Sequence, residues 1–179
     1  MTEILVRPAV SPDIENLTRF DHSLRTSRVW QMKQNNGEME IQTGFKETTL
    51  PRDMKINYPC SPETLLKKWK DFSSILVGCI DNAPAGYITL STIHAPGMVW
   101  VKDLVVQEIW RRNGIATTLI RAAFDWALAR KIYRMTIEMS SKNYPAISLV
   151  QKHGFNYSGF NDNYFENNDL ALFFSRLIR

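Results

Sequence analysis

The chain has 179 residues, a length typical of one domain or of one domain that carries a long insertion. Hydrophobic residues make up 44% and charged residues 22%, and eight glycines with eight prolines are too few for collagen or low-complexity sequence. These values exclude a fibrous or disordered chain and predict a sizeable buried core. The net charge of +4 favours an anionic ligand only mildly and falls short of a basic nucleic-acid-binding arm.

The cysteine pattern and the first residues of the chain indicate in which compartment the protein functions and whether it binds a metal. The two cysteines, Cys60 and Cys79, form neither a CxxC pair nor a cluster with histidines, so we expect packed thiols and neither a disulfide framework nor a metal site. The first residues include Glu3 and Pro8 and lack the apolar run of a signal peptide, and no stretch is long enough to span a membrane. We therefore expect a cytoplasmic protein without a membrane partner.

The first third of the chain predicts a strand, a helix and a hairpin. Residues 3–7 are typical of a short strand, and Ser11-Pro12-Asp13 predicts the start of a helix that ends near Arg25. Residues 28–49 alternate polar and apolar side chains around an Asn-Asn-Gly turn, which predicts a β-hairpin. Residues 51–62 should be irregular, and a second capping signature at residues 61–64 predicts a short amphipathic helix.

The remainder predicts a mixed sheet with helices on both faces. Strand patterns occur at residues 74–81, 85–95, 98–107, 133–139, 155–160 and 170–178, and the first three are separated by tight-turn sequences typical of antiparallel neighbours. Residues 115–130 form a helix whose apolar stripe is too wide for a solvent-facing position, so this helix must pack on the sheet. A further apolar helix ends near Gly154.

The segment from Leu104 to Thr117 is the most informative for function. A strand leads into a short loop whose glycine, Gly114, opens the long helix, so the unpaired N–H groups of the first turn point outward. The loop adds two arginines, Arg111 and Arg112, and the hydroxyl of Thr117. Together these features predict an anion site, which has neither the GK[ST] of a Walker P-loop nor a GxGxxG dinucleotide fingerprint.

Two motifs in this order resemble one enzyme family. The pattern Arg111-x-x-Gly114-x-Ala116 resembles the acyl-CoA pyrophosphate loop of the GNAT superfamily of N-acetyltransferases. Downstream, Asn143-x-x-Ala146, closed by Gly154-Phe155, resembles the family's next motif, a helix followed by a strand. The resemblance covers residues 73–160, and the strand-rich residues 29–49 and the ending 170–174 are further similar to streptothricin acetyltransferases within the superfamily.

The resemblance implies a fold and a cosubstrate. The fold is a single α/β (α+β) domain over residues 1–179 with a cofactor-binding core at about 73–160. Its mixed, mostly antiparallel sheet contains a parallel pair, strands 99–107 and 132–139, that splays apart around the pantetheine arm of acetyl-CoA. The residues implied in binding acetyl-CoA lie along the strand, the loop and the next helix start: Leu104, Val105, Val106, Arg111, Arg112, Asn113, Gly114, Ile115, Ala116, Thr117 and Asn143.

Acetyl transfer to an amine requires a base, because an alkyl amine with a pKa of about 10.4 is protonated at neutral pH. Glu138 matches the glutamate that ribosomal-protein alanine acetyltransferases carry in the corresponding strand, although it could instead be a solvated strand residue or a partner of Arg134. Histone-type members carry their base on the preceding strand, where this chain has Trp100, and Asp103 is the nearest acid there. Glu138 is therefore the first candidate for the catalytic base and Asp103 the second.

The proton donor for the departing CoA thiolate is not identified by the resemblance. Many family members carry a tyrosine on the helix after the asparagine, and this chain has Val150 there. Water, Tyr144, Tyr157 or another hydroxyl must then deliver the proton, or the chemistry is impaired. His153 is expected to be a helix-surface residue.

Three functions remain open from the sequence. The first is acetylation of a primary amine on a small cationic molecule, such as a streptothricin-like antibiotic or a polyamine. The second is acetylation of a protein N-terminus or lysine, and the third is a catalytically silent acyl-CoA binding module. We expect a monomer or homodimer without a nucleic-acid partner. Acidic side chains that could line an acceptor mouth, or be solvated loop charge, are Glu38, Glu40, Asp162, Glu166 and Asp169.

Overall fold

The computed structural model describes residues 3–59 and 61–178, so Cys60 lies outside the described residues. The strands within them are β1 Leu5–Pro8, β2 Leu24–Asn36, β3 Ile41–Ile56, β4 Ser74–Ile80, β5 Ala83–Ser91, β6 Met98–Val106, β7 Arg134–Ser140, β8 Asn156–Asn161 and β9 Ala171–Leu177. The helices are α1 Ser11–Thr18, α2 Pro62–Lys68, α3 Ile115–Leu128 and α4 Tyr144–Lys152, with 3-10 turns at Trp69–Asp71 and Glu108–Trp110. No helix in this part of the chain is long and apolar enough to cross a membrane.

Seven strands form one sheet in the order β1-β4-β5-β6-β7-β9-β8, and β2 pairs with β3 in a separate ribbon. Among the pairings of described strands only β6 with β7 is parallel, since these two strands are joined by helix α3 while tight turns join β4 to β5. The α/β fold class with a mostly antiparallel sheet is thereby confirmed.

The parallel pair separates part-way along its length. Pairing between β6 and β7 runs from Met98 opposite Arg134 to Val101 opposite Ile137, and beyond that point the two strands no longer pair with each other. β6 continues to Val106 against β5, whereas β7 continues to Ser140 against β9. A wedge therefore opens between the carboxyl halves of the two strands, as the family resemblance implies.

The sheet buries both faces. Along β4, Ile75 and Val77 pack with the apolar side chains of α1 and α2, whereas Leu76 and Ile80 pack with those of α3. This alternation follows from the two-residue period of a strand. Helix α4 contributes to the α3 side, where Val150 is fully buried. Cys79 is a buried free thiol on the α1 side.

Two predictions for the first third of the chain are wrong. The helix predicted to end near Arg25 ends at Thr18, because the backbone from Leu24 onward pairs with β3 instead. Strand β3 extends to Ile56 through residues predicted to be irregular. The β2–β3 pairing shifts register opposite the stretch that contains Pro51, a residue that cannot donate to a strand ladder. This ribbon is attached to the main sheet by a hydrogen bond from the Trp30 N–H to the Ser141 carbonyl.

Candidate active site

A glycine in the left-handed conformation opens the loop between β6 and α3. Gly114 is the N-cap of α3 with φ of +84°, and a Cβ placed there would meet no atom of the described residues within 4 Å. Glycine adopts this conformation without the strain that other residues incur. The N–H groups of the first turn, Ile115 to Thr117, have no acceptor within a helix. Together with the positive end of the helix dipole, they make this junction suited to an anion.

A cavity of about 460 Å³ lies over this loop. One side is formed by the residues just before β2, the first residues of β2, and Tyr58. The other side is formed by the end of β6, the loop and first turn of α3, and the first turns of α4. The lining residues are His22, Ser23, Leu24, Arg25, Tyr58, Leu104, Val105, Val106, Trp110, Arg111, Arg112, Gly114, Ile115, Ala116, Thr117, Asn143, Pro145, Ala146 and Leu149. All the residues predicted to bind the cofactor except Asn113 are therefore brought together around one cavity.

The polar side chains of the loop differ in what they contact. Arg111 donates to three backbone carbonyls, those of Val106 at 3.1 Å, Asp21 at 2.9 Å and Ser23 at 2.8 Å, and so ties the loop to the segment before β2. Asn113 is not among the residues that line the cavity, and its side chain donates to the Arg111 carbonyl at 3.1 Å. The exposed Arg112 is thus the loop cation best able to follow a bound anion.

Two other side chains predicted to bind acetyl-CoA, those of Thr117 and Asn143, already have hydrogen-bond partners within the protein. The Thr117 hydroxyl is 3.2 Å from Nε2 of His153. The side-chain oxygen of Asn143 accepts from the Ala146 N–H at 3.2 Å and caps α4. The amide nitrogen of Asn143 remains the group that a ligand in the cavity can use.

A second, smaller cavity of about 40 Å³ adjoins the first inside the wedge between β6 and β7. Residues that line both cavities are Leu24, Tyr58, Leu104, Asn143 and Ala146. The smaller cavity is further lined by Ile56, Asn57, Pro59, Lys102, Ile137, Glu138, Met139, Ser140, Val150 and Phe165. A ligand in the large cavity can therefore present one end to the side chains of the small one.

Glu138 is a buried carboxylate in the small cavity. Its side chain is on β7 just beyond the last residue that pairs with β6, and it is 7% exposed. Both hydrogen bonds that it accepts from described residues end on Oε2, one from the indole N–H of Trp100 and one from the Tyr164 hydroxyl at 2.9 Å. Burial raises the pKa of Glu138, and these two donors oppose the shift. The other oxygen, Oε1, is left for a ligand.

Asp103 lies on β6 and is engaged by two hydroxyl groups. Oδ1 accepts from the hydroxyl of Tyr58, and Oδ2 accepts from the hydroxyl of Thr89 at 3.1 Å. The Thr89 hydroxyl in turn accepts from the Asp103 N–H at 2.9 Å. Burial raises the pKa of Asp103, and the two hydroxyl donors oppose the shift. Asp103 does not line either cavity, whereas its partner Tyr58 lines both.

The two tyrosines that the sequence offers as proton donors, Tyr144 and Tyr157, lie outside the two cavities. Val150 fills its α4 position as a fully buried side chain at the wall of the small cavity. Tyr144 accepts a hydrogen bond from Arg28 at 3.3 Å on the protein surface, and Tyr157 packs against Phe45. Neither tyrosine is among the residues that line the two cavities.

None of the five acidic residues considered for an acceptor mouth lines either cavity. Glu38 and Glu40 lie at the exposed turn of the β2–β3 ribbon, and Asp169 is buried, bonded to Lys142 and to the Ser140 hydroxyl at 3.1 Å. The acidic group that does face the small cavity is Glu138.

Several site residues were missed in the sequence. Tyr58 and His22 lie in connections that carry no motif, and Tyr164 lies in a polar loop. His22 is buried, contacts the Phe20 carbonyl at 2.7 Å and the Tyr87 hydroxyl at 3.0 Å, and burial lowers its pKa. No local pattern marks these residues, because long-range contacts bring them to the site.

Comparison with known proteins identifies the family. The model of the Acetyltransferase (GNAT) family matches residues 44–155, which include the whole β6–α3 loop, Glu138 and α4. The chain belongs to the GNAT acetyltransferase family. The resemblance of the Gly114 loop and of the Asn143 motif is thereby confirmed at the level of the family.

Two curated relatives match about half of the chain. The chain is 34% identical over 80 residues to a streptothricin acetyltransferase of Escherichia coli, covering 45% of each protein. It is 28% identical over 95 residues to the L-amino acid N-acetyltransferase AaaT of Escherichia coli (strain K12), covering 50% of this chain and 57% of that protein. The chain thus spans about half the length of these curated relatives.

Solved structures share the fold over the whole chain. A crystal structure of nourseothricin acetyltransferase superposes with a TM-score of 0.83 at 21% identity and covers 99% of this chain and 100% of that one. A structure from Bacillus anthracis str. Ames in complex with acetyl coenzyme A has a TM-score of 0.74 at 17% identity, covering 98% and 99%. These similarities show that the chain shares its fold with both structures.

Proposed function

We propose that this protein is an N-acetyltransferase that moves the acetyl group of acetyl-CoA to a primary amine of a small cationic molecule. The observation that carries the proposal is the junction of the two cavities. One has the open N-terminus of α3 at its end, and the other holds the buried carboxylate of Glu138 inside the wedge. A thioester at the junction would therefore have an anion site on one side and a base on the other.

The large cavity supports acetyl-CoA as the donor. Its loop end offers backbone N–H groups and Arg112 to a pyrophosphate, and no side chain occupies the space above Gly114. Beyond the loop, the unpaired edge of β6 from Lys102 to Val106 can hydrogen-bond an extended pantetheine arm as a strand does. The complex of the Bacillus anthracis structure with acetyl coenzyme A supports the same assignment.

Glu138 supports an amine as the acceptor. An alkyl amine has a pKa of about 10.4 and must lose a proton before it attacks a carbonyl. The carboxylate of Glu138 attracts the ammonium form, and because burial raises its pKa it is a better base than an exposed glutamate. Trp100 and Tyr164 fix Oε2, so the free Oε1 can accept the proton. The amine nitrogen then attacks the thioester carbon, and the C–S bond breaks to release the CoA thiolate.

The names of two similar proteins support a streptothricin-like acceptor, and a polyamine is the other small cationic acceptor that we consider. The names of one curated relative and of one fold neighbour contain streptothricin and nourseothricin. Protein N-terminus or lysine acetylation is the alternative, and a silent acyl-CoA binding module is a second alternative because Val150 occupies the position of the usual tyrosine. The single domain, the oligomeric state and the cytoplasmic location stay predictions.

The test is release of free CoA from acetyl-CoA against a panel of amines. The panel contains streptothricin, spermidine, an amino acid and a peptide with a free N-terminus and one lysine. We expect turnover with the cationic small molecules and at least a 100-fold loss in Glu138→Gln. The matched control is Glu15→Gln, on the exposed surface of α1, which should leave the rate unchanged. Preference for the peptide would favour the protein-modifying alternative, and acetyl-CoA binding without turnover of any amine would favour the silent module.

A further inference from the structure

The β8–β9 loop, residues 162–170, is folded onto the site although its sequence is polar. Phe165 and Asp169 are 8% and 6% exposed, and Phe165 lines the small cavity. Tyr164 is partly buried and donates its hydroxyl to Oε2 of Glu138 at 2.9 Å. The loop thus contributes one wall of the small cavity and one of the two donors to the candidate base.

Asp169 anchors this loop to the end of β7. Its buried carboxylate accepts from the ammonium group of Lys142 and from the Ser140 hydroxyl at 3.1 Å. Its backbone carbonyl accepts from the N–H groups of Tyr164 and Phe165 at 3.2 Å and 3.3 Å. Because a carboxylate is costly to bury unless it is paired and hydrogen-bonded, these contacts hold the loop in one arrangement.

A third ring holds the two aromatic donors of Glu138. Phe173 lies opposite Glu138 in the β7–β9 pairing, and its ring meets that of Tyr164 edge-on at 5.6 Å between centroids. The same ring meets that of Trp100 at 5.2 Å, and the indole N–H of Trp100 donates to Oε2 as well. Two aromatic donors therefore converge on one oxygen of the carboxylate.

Glu138 depends on these donors because no charged partner replaces them. None of the ion pairs among the described residues includes Glu138. Burial raises the pKa of Glu138, whereas the hydrogen bonds from Trp100 and Tyr164 lower it. The other charged or titratable groups around it are Lys102 and Asp103 on β6 and Tyr58 after β3; Lys102 lowers its pKa and Asp103 raises it. The two donors thus favour the ionised carboxylate, which is the form that a base requires.

We propose that Tyr164 is a positioning residue for the base Glu138 and that Asp169 positions Tyr164 by anchoring the β8–β9 loop; the catalytic consequence rests on the proposed function. The Tyr164 hydroxyl holds Oε2, so the carboxylate keeps one orientation and stays ionised until it takes the proton of the amine. Tyr164 acts through Glu138, and Asp169 acts through Tyr164.

The first experiment measures the ionisation of Glu138 without turnover. The indole N–H of Trp100 is bonded to this carboxyl, so its NMR resonance, assigned with Trp100→Phe, should titrate in the parent and stop titrating in Glu138→Gln. Tyr164→Phe keeps the ring and removes one donor to the carboxylate, so the midpoint should rise by about one pH unit. The matched control is Tyr157→Phe, whose ring packs against Phe45 outside both cavities and which should leave the midpoint unchanged.

The second experiment follows the same carboxyl through the rate of acetyl transfer. In Tyr164→Phe the acid limb of kcat/KM should move to higher pH together with the NMR midpoint. Above this limb, kcat should fall by about 10-fold because Oε2 loses one of its two fixed contacts. The Kd of acetyl-CoA should change less than about threefold, since Tyr164 does not line the large cavity. A merely structural role of Tyr164 would lower the rate without moving the limb.

A double-mutant cycle tests Asp169. If Asp169 anchors the loop, Asp169→Asn separates Tyr164 from Glu138, so adding Tyr164→Phe should then move the midpoint by less than about a third of its shift in the parent. Glu166→Gln, at an exposed position of the same loop, is the matched control and should leave the full shift. Where Asp169→Asn does not fold, Lys142→Gln removes the partner of Asp169 at a partly exposed position and takes its place in the cycle.

The outcomes separate this inference from the proposed function. A parent protein that acetylates no amine refutes the proposed function and the effect on the rate, whereas the titration of the Trp100 resonance still decides whether Tyr164 sets the ionisation of Glu138. An unmoved midpoint in Tyr164→Phe, or a parent resonance that does not titrate, refutes the inference whether or not the protein is active. An undiminished shift in the Asp169→Asn background refutes the role of Asp169.

Discussion

Replacement of Gly114 by alanine tests whether the β6–α3 loop holds the pyrophosphate of acetyl-CoA. The alanine Cβ would meet no atom of the described residues within 4 Å, so we expect its effect on binding to come from a clash with the bound ligand. The backbone there has φ of +84°, and a residue with a Cβ loses roughly 1–2 kcal/mol in the left-handed region. Against a typical folding free energy of about 5–15 kcal/mol, the variant stays folded.

The expected loss of acetyl-CoA affinity follows from the hydrogen bonds that the new Cβ would disrupt. The Cβ would stand beside the first N–H groups of α3, and a hydrogen bond to a charged group is worth about 1.5–3 kcal/mol. Loss of one such bond weakens binding by about 10- to 150-fold, since 1.4 kcal/mol is a factor of ten. Calorimetric titration with acetyl-CoA measures this change directly. The melting temperature should fall by about 2–8 °C from the backbone strain.

Gly154 provides the matched control. It has φ of +76°, its Cβ position is 3.8 Å from the nearest atom, in Arg176, and it lines neither cavity. Gly154→Ala should therefore show a similar loss of thermal stability without loss of acetyl-CoA affinity. A folded Gly114→Ala variant that binds acetyl-CoA as tightly as the parent would falsify the assignment of the pyrophosphate to this loop.

Three further predictions concern the base, the α4 wall and the folded state. The acid limb of the pH–rate profile should lie above the ordinary carboxyl pKa of about 4.3, because burial raises the pKa of Glu138 and the carboxylate is protonated as pH falls through this raised pKa. Glu138→Gln should abolish the acid limb, and a limb retained in the variant would assign it to another group. Val150→Tyr should lower stability by roughly 1–3 kcal/mol, because a ring must enter a fully buried position, and an unchanged melting curve would show that the small cavity can admit the ring. Asp13 is bonded to Arg7 at 2.6 Å, and this contact lowers the pKa of Asp13. Its contribution to the free energy of unfolding is therefore present above the pKa of the unfolded state and is lost as pH falls through the pKa of the folded state. The free energy of unfolding of Asp13→Asn should differ from that of the parent most at neutral pH and converge with it in acid, whereas a difference that is constant with pH would contradict this linkage.

The sequence by itself determined the parts of the site that are built locally. Gly114 before an apolar helical stripe marks the start of α3, and Gly154 marks the end of the next helix, and the structure has α3 beginning and α4 ending at these glycines. Such signals are readable because a helix cap depends on neighbours within four residues. The strand patterns of β6 and β7 likewise predicted both strands, whereas their separation into a wedge was implied only by the family resemblance.

Tertiary structure decided what the polar side chains do. Arg111, predicted as a phosphate contact, donates to the carbonyls of Asp21 and Ser23, about ninety residues away in the chain. The length of α1 and the extent of β3 were also mispredicted, since strand pairing between distant segments overrides local helix and turn preferences.

The chemistry of the site depends on the same long-range contacts. Glu138 becomes a buried carboxylate because Trp100 and Tyr164, 38 and 26 residues away, bond to it, and Tyr58 meets Asp103 across 45 residues. Burial and hydrogen bonding set the pKa of each carboxyl, and both depend on where the sheet brings distant segments together. The sequence could therefore propose the base, whereas only the folded chain could give it a partner and an environment.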